Sequence, residues 1–357
     1  MLRESPVRVP VMRPRFPPVG PMLQRLAAVE SSGRFANLGP QEQELRARFA
    51  ELLGVPEQRI VTVANATLGI AGAVAVLGGR RWAVPAFTFP ATLAAIIAAG
   101  ASPVLSEVRE EDWTLDRAGV VSDGWLPVAP FGAAPDIARW SDAGGVVHDA
   151  AASLGADIDL SGLVRNQAVV FSLHATKVLG SGEGGIVVLG DDETARRLRA
   201  WTNFGFEGSR RAENAGLNAK MSELQACSVH AALEGWSTEI AEWTEARRRV
   251  ASMCASVGVR LADPSRTGIN PYAIACFADA ATTAHVEGVL ARFGVETRRW
   301  WEVGCHRMPA YRHLTRDEFP ITDRLAETTL GLPFFRRMTE ADVGLIADAL
   351  RAALVDR

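Results

Sequence analysis

The sequence predicts an α/β protein: a large, mostly parallel sheet flanked by helices, followed by a smaller C-terminal α+β unit. Three observations point there. Between residues 60 and 190 short apolar runs alternate with helical stretches, and the runs lack clean period-2 alternation, as in strands buried on both faces. From Met221 to Ser256 the pattern turns long and helical, and the residues beyond it hold shorter strands and an amphipathic helix. The chain has 357 residues, more than one core comfortably supports. The expected division is a large unit over 1–235, including an N-terminal arm, and a small unit over 236–357.

The first clear element is an amphipathic helix over 40–53, closed by Gly54. Strands are expected over 60–64, 82–84, 103–106, 126–129, 145–148, 168–172 and 185–189. Helices are expected over 67–77, 90–99, 135–142, 191–203 and 340–354. The apolar run 60–79 is about as long as a membrane span. Asn65 and Thr67 interrupt it, and β-branched residues give way to alanines, so it reads as a buried strand, a polar turn and a buried helix. The N-terminal 22 residues hold too many prolines and arginines for a signal peptide.

Composition narrows the class. Hydrophobic residues make up 48% and charged residues 22%, with a formal net charge of −3. No basic excess suggests a nucleic-acid partner, and no segment calls for a membrane. The cysteines Cys227, Cys254, Cys276 and Cys305 form no C-x-x-C pair, and no H-x-x-x-H occurs, which argues against a metal site. Sparse cysteines fit a reducing cytoplasm.

Four segments carry candidate chemistry. In residues 171–190 a strand ends in polar residues, Lys177 follows, and a glycine-rich turn leads to a second strand. Most lysines are solvated surface groups. Here Leu173, Ala175, Val178 and Leu179 would strip water from the amine and favour nucleophilic chemistry. The turn lacks the phosphate-loop pattern and reads as a tight turn allowing close backbone approach. Asp149 ends a strand, where α/β sheets bind ligands; alone, a helix cap explains it as well. Residues 64–70 run from a strand into a helix N-terminus, where backbone amides and the Thr67 hydroxyl suit an anion such as phosphate, or where Asn65 merely caps. In residues 85–92, Phe87 and Phe89 would share a side if extended; they could be core, or one could stack on a flat ring.

Together and in this order these segments resemble the DegT/StrS family of sugar aminotransferases. The resemblance begins with Asn37-Leu38-Gly39-Pro40 and runs through Asn65-Ala66-Thr67, Pro85-Ala86-Phe87-Thr88-Phe89, Asp149-Ala150-Ala151 and residues 171–185. It continues with Asn203-Phe204-Gly205-Phe206, Asn218-Ala219-Lys220-Met221-Ser222-Glu223, Gly304-Cys305-His306-Arg307-Met308 and Leu332-Pro333. The wording around Lys177 looks most similar to enzymes that aminate a dTDP-4-keto-6-deoxyhexose.

The resemblance implies the fold of type I pyridoxal-phosphate enzymes and a transaminase moving an amino group from an amino acid, glutamate by expectation, to a keto sugar. It implies that Lys177 is the Schiff-base lysine, that Asp149 pairs with the pyridine nitrogen and that Phe89 stacks on the ring. Ala66, Thr67 and Ser172 would hold the phosphate. Asn218 would reach the phosphate from the other subunit of a homodimer with shared active sites. Asn37, His174, Lys220 and His306 would lie near substrate.

The chain departs from the family's usual wording at several points. Ala66 replaces a glycine, Ala152 a glutamine that would touch the cofactor's phenolate oxygen, and Ala219 and Lys220 a tyrosine and an arginine. Trp300 and Trp301 stand where relatives carry other aromatics, so the acceptor could be a 3-keto sugar, a cyclitol or another natural-product ketone. A cofactor-dependent sugar dehydratase would carry histidine in place of Lys177. A non-catalytic cofactor-binding regulator has no reason to retain the Lys177–Asp149 pair.

Overall fold

The computed structural model describes residues 7–262, 268–315 and 317–355; the first six residues of the proline- and arginine-rich N-terminus lie outside them. The chain opens with α1 (Val19–Ser32) and α2 (Pro40–Leu53). It continues through β1 (Ile60–Val63), α3 (Ala66–Leu77), β2 (Arg81–Pro85), α4 (Pro90–Ala98), β3 (Ser102–Ser106) and β4 (Gly124–Trp125). Next come β5 (Val146–Asp149), β6 (Gln167–Ser172), β7 (Gly185–Leu189) and α5 (Asp192–Thr202). The remainder comprises α6 (Glu223–Glu234), α7 (Trp236–Ser256), β8 (Arg260–Ala262), β9 (Ala273–Cys276), α8 (Ala280–Arg292), α9 (Gly304–Arg307), α10 (Pro320–Thr328), β10 (Thr329–Leu332) and α11 (Glu340–Val355).

The large sheet runs β1-β7-β6-β5-β4-β2-β3, and only β7 is antiparallel to its neighbours. The central strands β5, β6 and β7 are buried at every position, which explains why their sequences do not alternate. The C-terminal part holds an antiparallel sheet, β10-β9-β8. A second core there gathers Val250, Ala275, Val286, Leu290, Ile346 and Leu350. The N-terminal segment joins this second core: Val9 bridges Val295, and the Phe334 N–H donates to the Val11 carbonyl at 3.0 Å. It therefore lies against the C-terminal half before α1 packs on α6.

The run 60–79 is a strand, a polar turn and a buried helix, as expected. Asn65 caps α3 by accepting from the Leu68 N–H at 3.0 Å. The long helical stretch is two helices that meet at Gly235. Two expected elements need correction. Over 126–129 there is no regular strand; β4 is the shorter Gly124–Trp125, and beyond it Val128 makes only an isolated bridge to Asp149. Pro127 has no N–H to continue the ladder. Over 135–142 there is no α-helix, only a 3-10 turn at Ala138–Trp140; between Pro135 and the Gly144-Gly145 pair too few residues remain to support one. Helix α1 escapes the sequence pattern because Pro17, Pro18 and Pro21 crowd its start, yet Pro21 sits in the first turn, where no N–H is needed.

Helix α3 abuts the start of β7 closely enough to constrain the residue there. An added Cβ at Gly185 would lie 2.8 Å from Val63 Cγ2 and 2.9 Å from the Ala66 nitrogen. Gly185→Val should therefore destabilise the fold by about 1–3 kcal/mol through overpacking. Urea unfolding monitored by circular dichroism checks this, and an unchanged midpoint would count against the tight α3–β7 contact.

Candidate active site

The candidate residues converge because of strand polarity. The register places Val63, Gly185 and Ser172 in one row across β1, β7 and β6, and Asp149 pairs with Val170 at the end of β5. Strands β1, β2, β5 and β6 all leave the sheet at this edge, where open α/β sheets bind ligands. Their exits carry Asn65-Ala66-Thr67, the 86–89 loop, Asp149 and the loop holding Lys177.

Asp149 is buried. Its Oδ2 accepts from Thr92 Oγ1 at 2.8 Å, and its Oδ1 from the Ala151 N–H at 3.1 Å. Thr92 Oγ1 in turn lies 3.0 Å from Thr88 Oγ1. Burial pushes the Asp149 carboxyl above its ordinary range, opposed by these hydrogen bonds and by the nearby Lys177 charge. A carboxylate this dry favours a cationic or donating partner.

Lys177 is half-buried in a turn closed by its own N–H donating to the His174 carbonyl at 2.8 Å. Its Nζ donates to the Tyr272 hydroxyl at 3.1 Å. The glycine turn after it is a close-approach turn: Gly182 and Gly184 take φ 103° and 153°, and an added Cβ at Gly180 would stand 2.5 Å from the Ala175 oxygen. His174 belongs to the same turn, with Nδ1 2.9 Å from Thr176 Oγ1 and its ring 3.8 Å from Glu183.

At the α3 N-terminus Asn65 uses the Leu68 N–H, so the capping reading holds for Asn65. The earlier amides, of Ala66 and Thr67, have no intrahelical acceptor, the condition that lets a helix N-terminus bind an anion. Ser172 lies across Gly185 from this helix start, and its Oγ accepts from the His174 N–H at 3.2 Å. Phe87 and Phe89 do not share a side. Phe87 is 1% exposed and Phe89 56% exposed, because the chain turns into α4 at Phe89 and breaks the extended alternation. Phe89 thus keeps its ring at the surface, one turn before Thr92, the residue that donates to Asp149.

The remaining candidates sit elsewhere on the same face or in structural contacts. Lys220 Nζ donates to Asn203 Oδ1 at 2.8 Å and to Asn218 Oδ1 at 2.9 Å, and stands 4.8 Å from the Phe204 ring centre. Partial burial lowers its pKa. Asn218 is exposed, and its neighbour Ala219 is pinned to β1 by the Ala64 N–H at 2.8 Å. Asn37 is exposed with a left-handed backbone, φ 64°. His306 is committed to Asp323, 3.1 Å away, and to packing on Phe319; burial lowers its pKa.

Two groups in contact with these candidates escaped the sequence reading. Thr92 lies in the first turn of α4, and only its spacing from Thr88 hints at a hydroxyl pair. Tyr272 lies 95 residues from Lys177 in a segment without a distinctive motif. Around Tyr272 stands an aromatic wall: Phe131 at 5.8 Å, Trp300 at 5.0 Å, and Trp301 stacked on Phe131 at 4.1 Å. Among the described residues no cluster of His, Cys, Asp or Glu could hold a metal ion, and no helix is long and apolar enough to cross a membrane.

Known proteins resemble the chain in both sequence and fold. The chain is 29% identical to UDP-N-acetyl-3-dehydro-alpha-D-glucosamine 3-aminotransferase of Acidithiobacillus ferrooxidans, over 89% of each chain. In structure it is similar to DesI crystallised with its TDP-sugar product: TM-score 0.85, 31% identity, covering 96% of this chain and 92% of the other. A putative PLP-dependent aminotransferase from Bacillus cereus aligns with TM-score 0.86 and 26% identity, over 96% and 99% of the two chains. The model of the DegT/DnrJ/EryC1/StrS aminotransferase family matches residues 21–351, and the chain belongs to that family of pyridoxal-phosphate-dependent aminotransferases.

Proposed function

We propose that the chain transfers an amino group from an amino acid, glutamate foremost, to a nucleotide-linked 4-keto-6-deoxyhexose. The observation that carries the catalytic part is the convergence of half-buried Lys177 and buried Asp149 on one sheet edge beside an exposed aromatic ring. A nucleotide-linked acceptor is supported by two of the relatives, one named for a UDP-linked 3-keto sugar and one crystallised with a TDP-sugar; the 4-keto position rests on the wording around Lys177.

The residues fit pyridoxal phosphate. Asp149 would accept from the pyridine nitrogen, for which its dry carboxylate is suited; Phe89 would stack on the ring; Ala66, Thr67 and Ser172 would hold the phosphate. When bound, the cofactor supplies the electron sink for breaking the donor's Cα–H bond. Lys177 Nζ would hold the cofactor covalently, and once freed would carry the proton from the donor carbon as base and return it as acid. The wall of Phe131, Tyr272, Trp300 and Trp301 would exclude water and face the sugar, while His174, Lys220, Asn37 and His306 would lie around the substrate.

A homodimer with shared sites is part of this reading. Phe16, Val19, Leu23, Phe35, Phe204, Leu217 and Leu224 are exposed apolar residues that a partner subunit would cover, and Asn218 is exposed next to Leu217. From there Asn218 would reach the partner's phosphate site. We place the division into units at 235/236, where Gly235 separates α6 from α7, and the enzyme in the cytoplasm, in keeping with its four free thiols.

Purified protein given pyridoxal phosphate should turn yellow, and Lys177→Ala should bind the cofactor without the lysine-dependent visible band; a colourless wild type defeats the reading. Loading the pyridoxamine form and offering nucleotide-linked 4-keto and 3-keto sugars and cyclitol ketones then identifies the acceptor by return of the band. Only the substrate assignment fails if no nucleotide sugar restores it. For Asp149→Asn, turnover should fall at least about a hundredfold, roughly 2.7 kcal/mol of barrier.

The same substitution has an opposite effect without cofactor. Because the folded pKa of Asp149 is raised, the folded state binds more protons than the unfolded one above the usual carboxylate range, and stability falls as pH rises through that window. Asparagine removes this dependence: its carbonyl can accept from Ala151 and its amide can donate to Thr92. Cofactor-free Asp149→Asn should therefore resist urea at least as well as wild type at pH 8, with the gap narrowing toward acid pH. A less stable variant at pH 8 would show that the carboxylate is well solvated or well paired.

A further inference from the structure

We infer that Tyr272 is a second catalytic group, whose hydroxyl holds the Lys177 amine in position for proton transfer. The inference rests on the proposed role of Lys177. The contact joins distant parts of the chain: Lys177 lies in the loop after β6, and Tyr272 at the entry to β9 in the C-terminal sheet. The Nζ–Oη distance is 3.1 Å, and the amine stands 5.6 Å from the ring centre, so it approaches the hydroxyl rather than the ring face.

The phenol is held on several sides. Its backbone N–H donates to Asn270 Oδ1 at 3.1 Å, and its ring packs edge-on against Phe131 and Trp300. Phe131 keeps a left-handed backbone, φ 52°, and stacks on Trp301, which itself packs on Phe87 at 4.7 Å. Trp300 in turn rests on Gly331, where an added Cβ would stand 2.3 Å from its ring nitrogen. A non-glycine residue in that conformation marks a place where packing overrides local preference. These contacts hold the ring and so place its hydroxyl, which meets the amine proposed to react.

The chemistry follows from donor and acceptor roles. A freed lysine must turn its lone pair toward the donor carbon, so its N–H groups need acceptors on the other side. The Tyr272 oxygen is one. After the amine takes the proton it becomes an ammonium, and the same oxygen then stabilises the charged form. No covalent bond changes at Tyr272, and its own proton stays in place.

Tyr272→Phe keeps the ring and its packing and deletes only the hydroxyl. The variant should still show the lysine-dependent yellow band, which separates this test from the Lys177 assignment. With glutamate in single turnover, conversion to the pyridoxamine form should slow about tenfold or more, with little change in the glutamate concentration giving half-maximal rate. The variant's urea midpoint should match that of wild type, so the slowing is not a folding loss. A purely structural tyrosine would lower that midpoint and leave the single-turnover rate of the folded protein unchanged. A single-turnover rate within twofold of wild type overturns the inference.

Discussion

A carboxylate without water around it must find its partners inside the chain, and Asp149 imposes that requirement on everything near it. Two of its hydrogen bonds are internal, from Thr92 and from the Ala151 amide. They stabilise the charged form but do not cancel the cost of burial, since the carboxyl is still pushed up. The remaining demand is for a donor carrying positive charge from the open side. A buried acid at a strand end thus differs from an ordinary turn aspartate: the Asx-type bond to Ala151 is common to both, while burial without full compensation suits it to the proposed pairing with a pyridine nitrogen.

The sheet makes this arrangement possible. Parallel strands bring all their exits to one edge, so residues separated by more than a hundred positions become neighbours without any long loop to steer them. Reversing one strand, β7, places Gly185 between the ends of β1 and β6 and lets α3 come down onto the strand row. The row Val63–Gly185–Ser172 then brings the start of α3 close over Gly185, one strand away from Ser172. A side chain at 185 would push that helix start away.

Much of this was legible in the sequence, and the failures have physical causes. Strands buried on both faces announce themselves as continuous apolar runs, so β1, β5, β6 and β7 were found close to their ends. The 126–129 segment has the right composition but carries Pro127, and hydropathy does not register a missing donor. Helix α1 was hidden by prolines that are tolerated in a first turn. The Phe87–Phe89 pair misled because alternation holds only while the chain stays extended, and Pro90 starts a helix. Lys177 and Asp149 stood out only through the order of the segments that carry them, and the structure brings both to one sheet edge. Thr92 and Tyr272 had no such signal, because a hydroxyl that meets its partner only in the fold has no local pattern.

Tyr272 also changes what the two halves of the chain mean for each other. The Lys177 loop and the Asp149 strand belong to the large sheet, while Tyr272, Trp300 and Trp301 come from beyond α7. The contact is reinforced by Cys305, whose N–H donates to the Ala86 carbonyl at 2.7 Å and whose thiol reaches the Thr88 carbonyl at 3.2 Å. Thr88 contacts Thr92, and Thr92 donates to Asp149, so the C-terminal part connects to both ends of the proposed chemistry. Through the 86–88 loop it braces the carboxylate; through Tyr272 it braces the amine. A shift of that part relative to the sheet would disturb both at once, and the aromatic wall between them, stacked ring on ring, is the piece that resists such a shift.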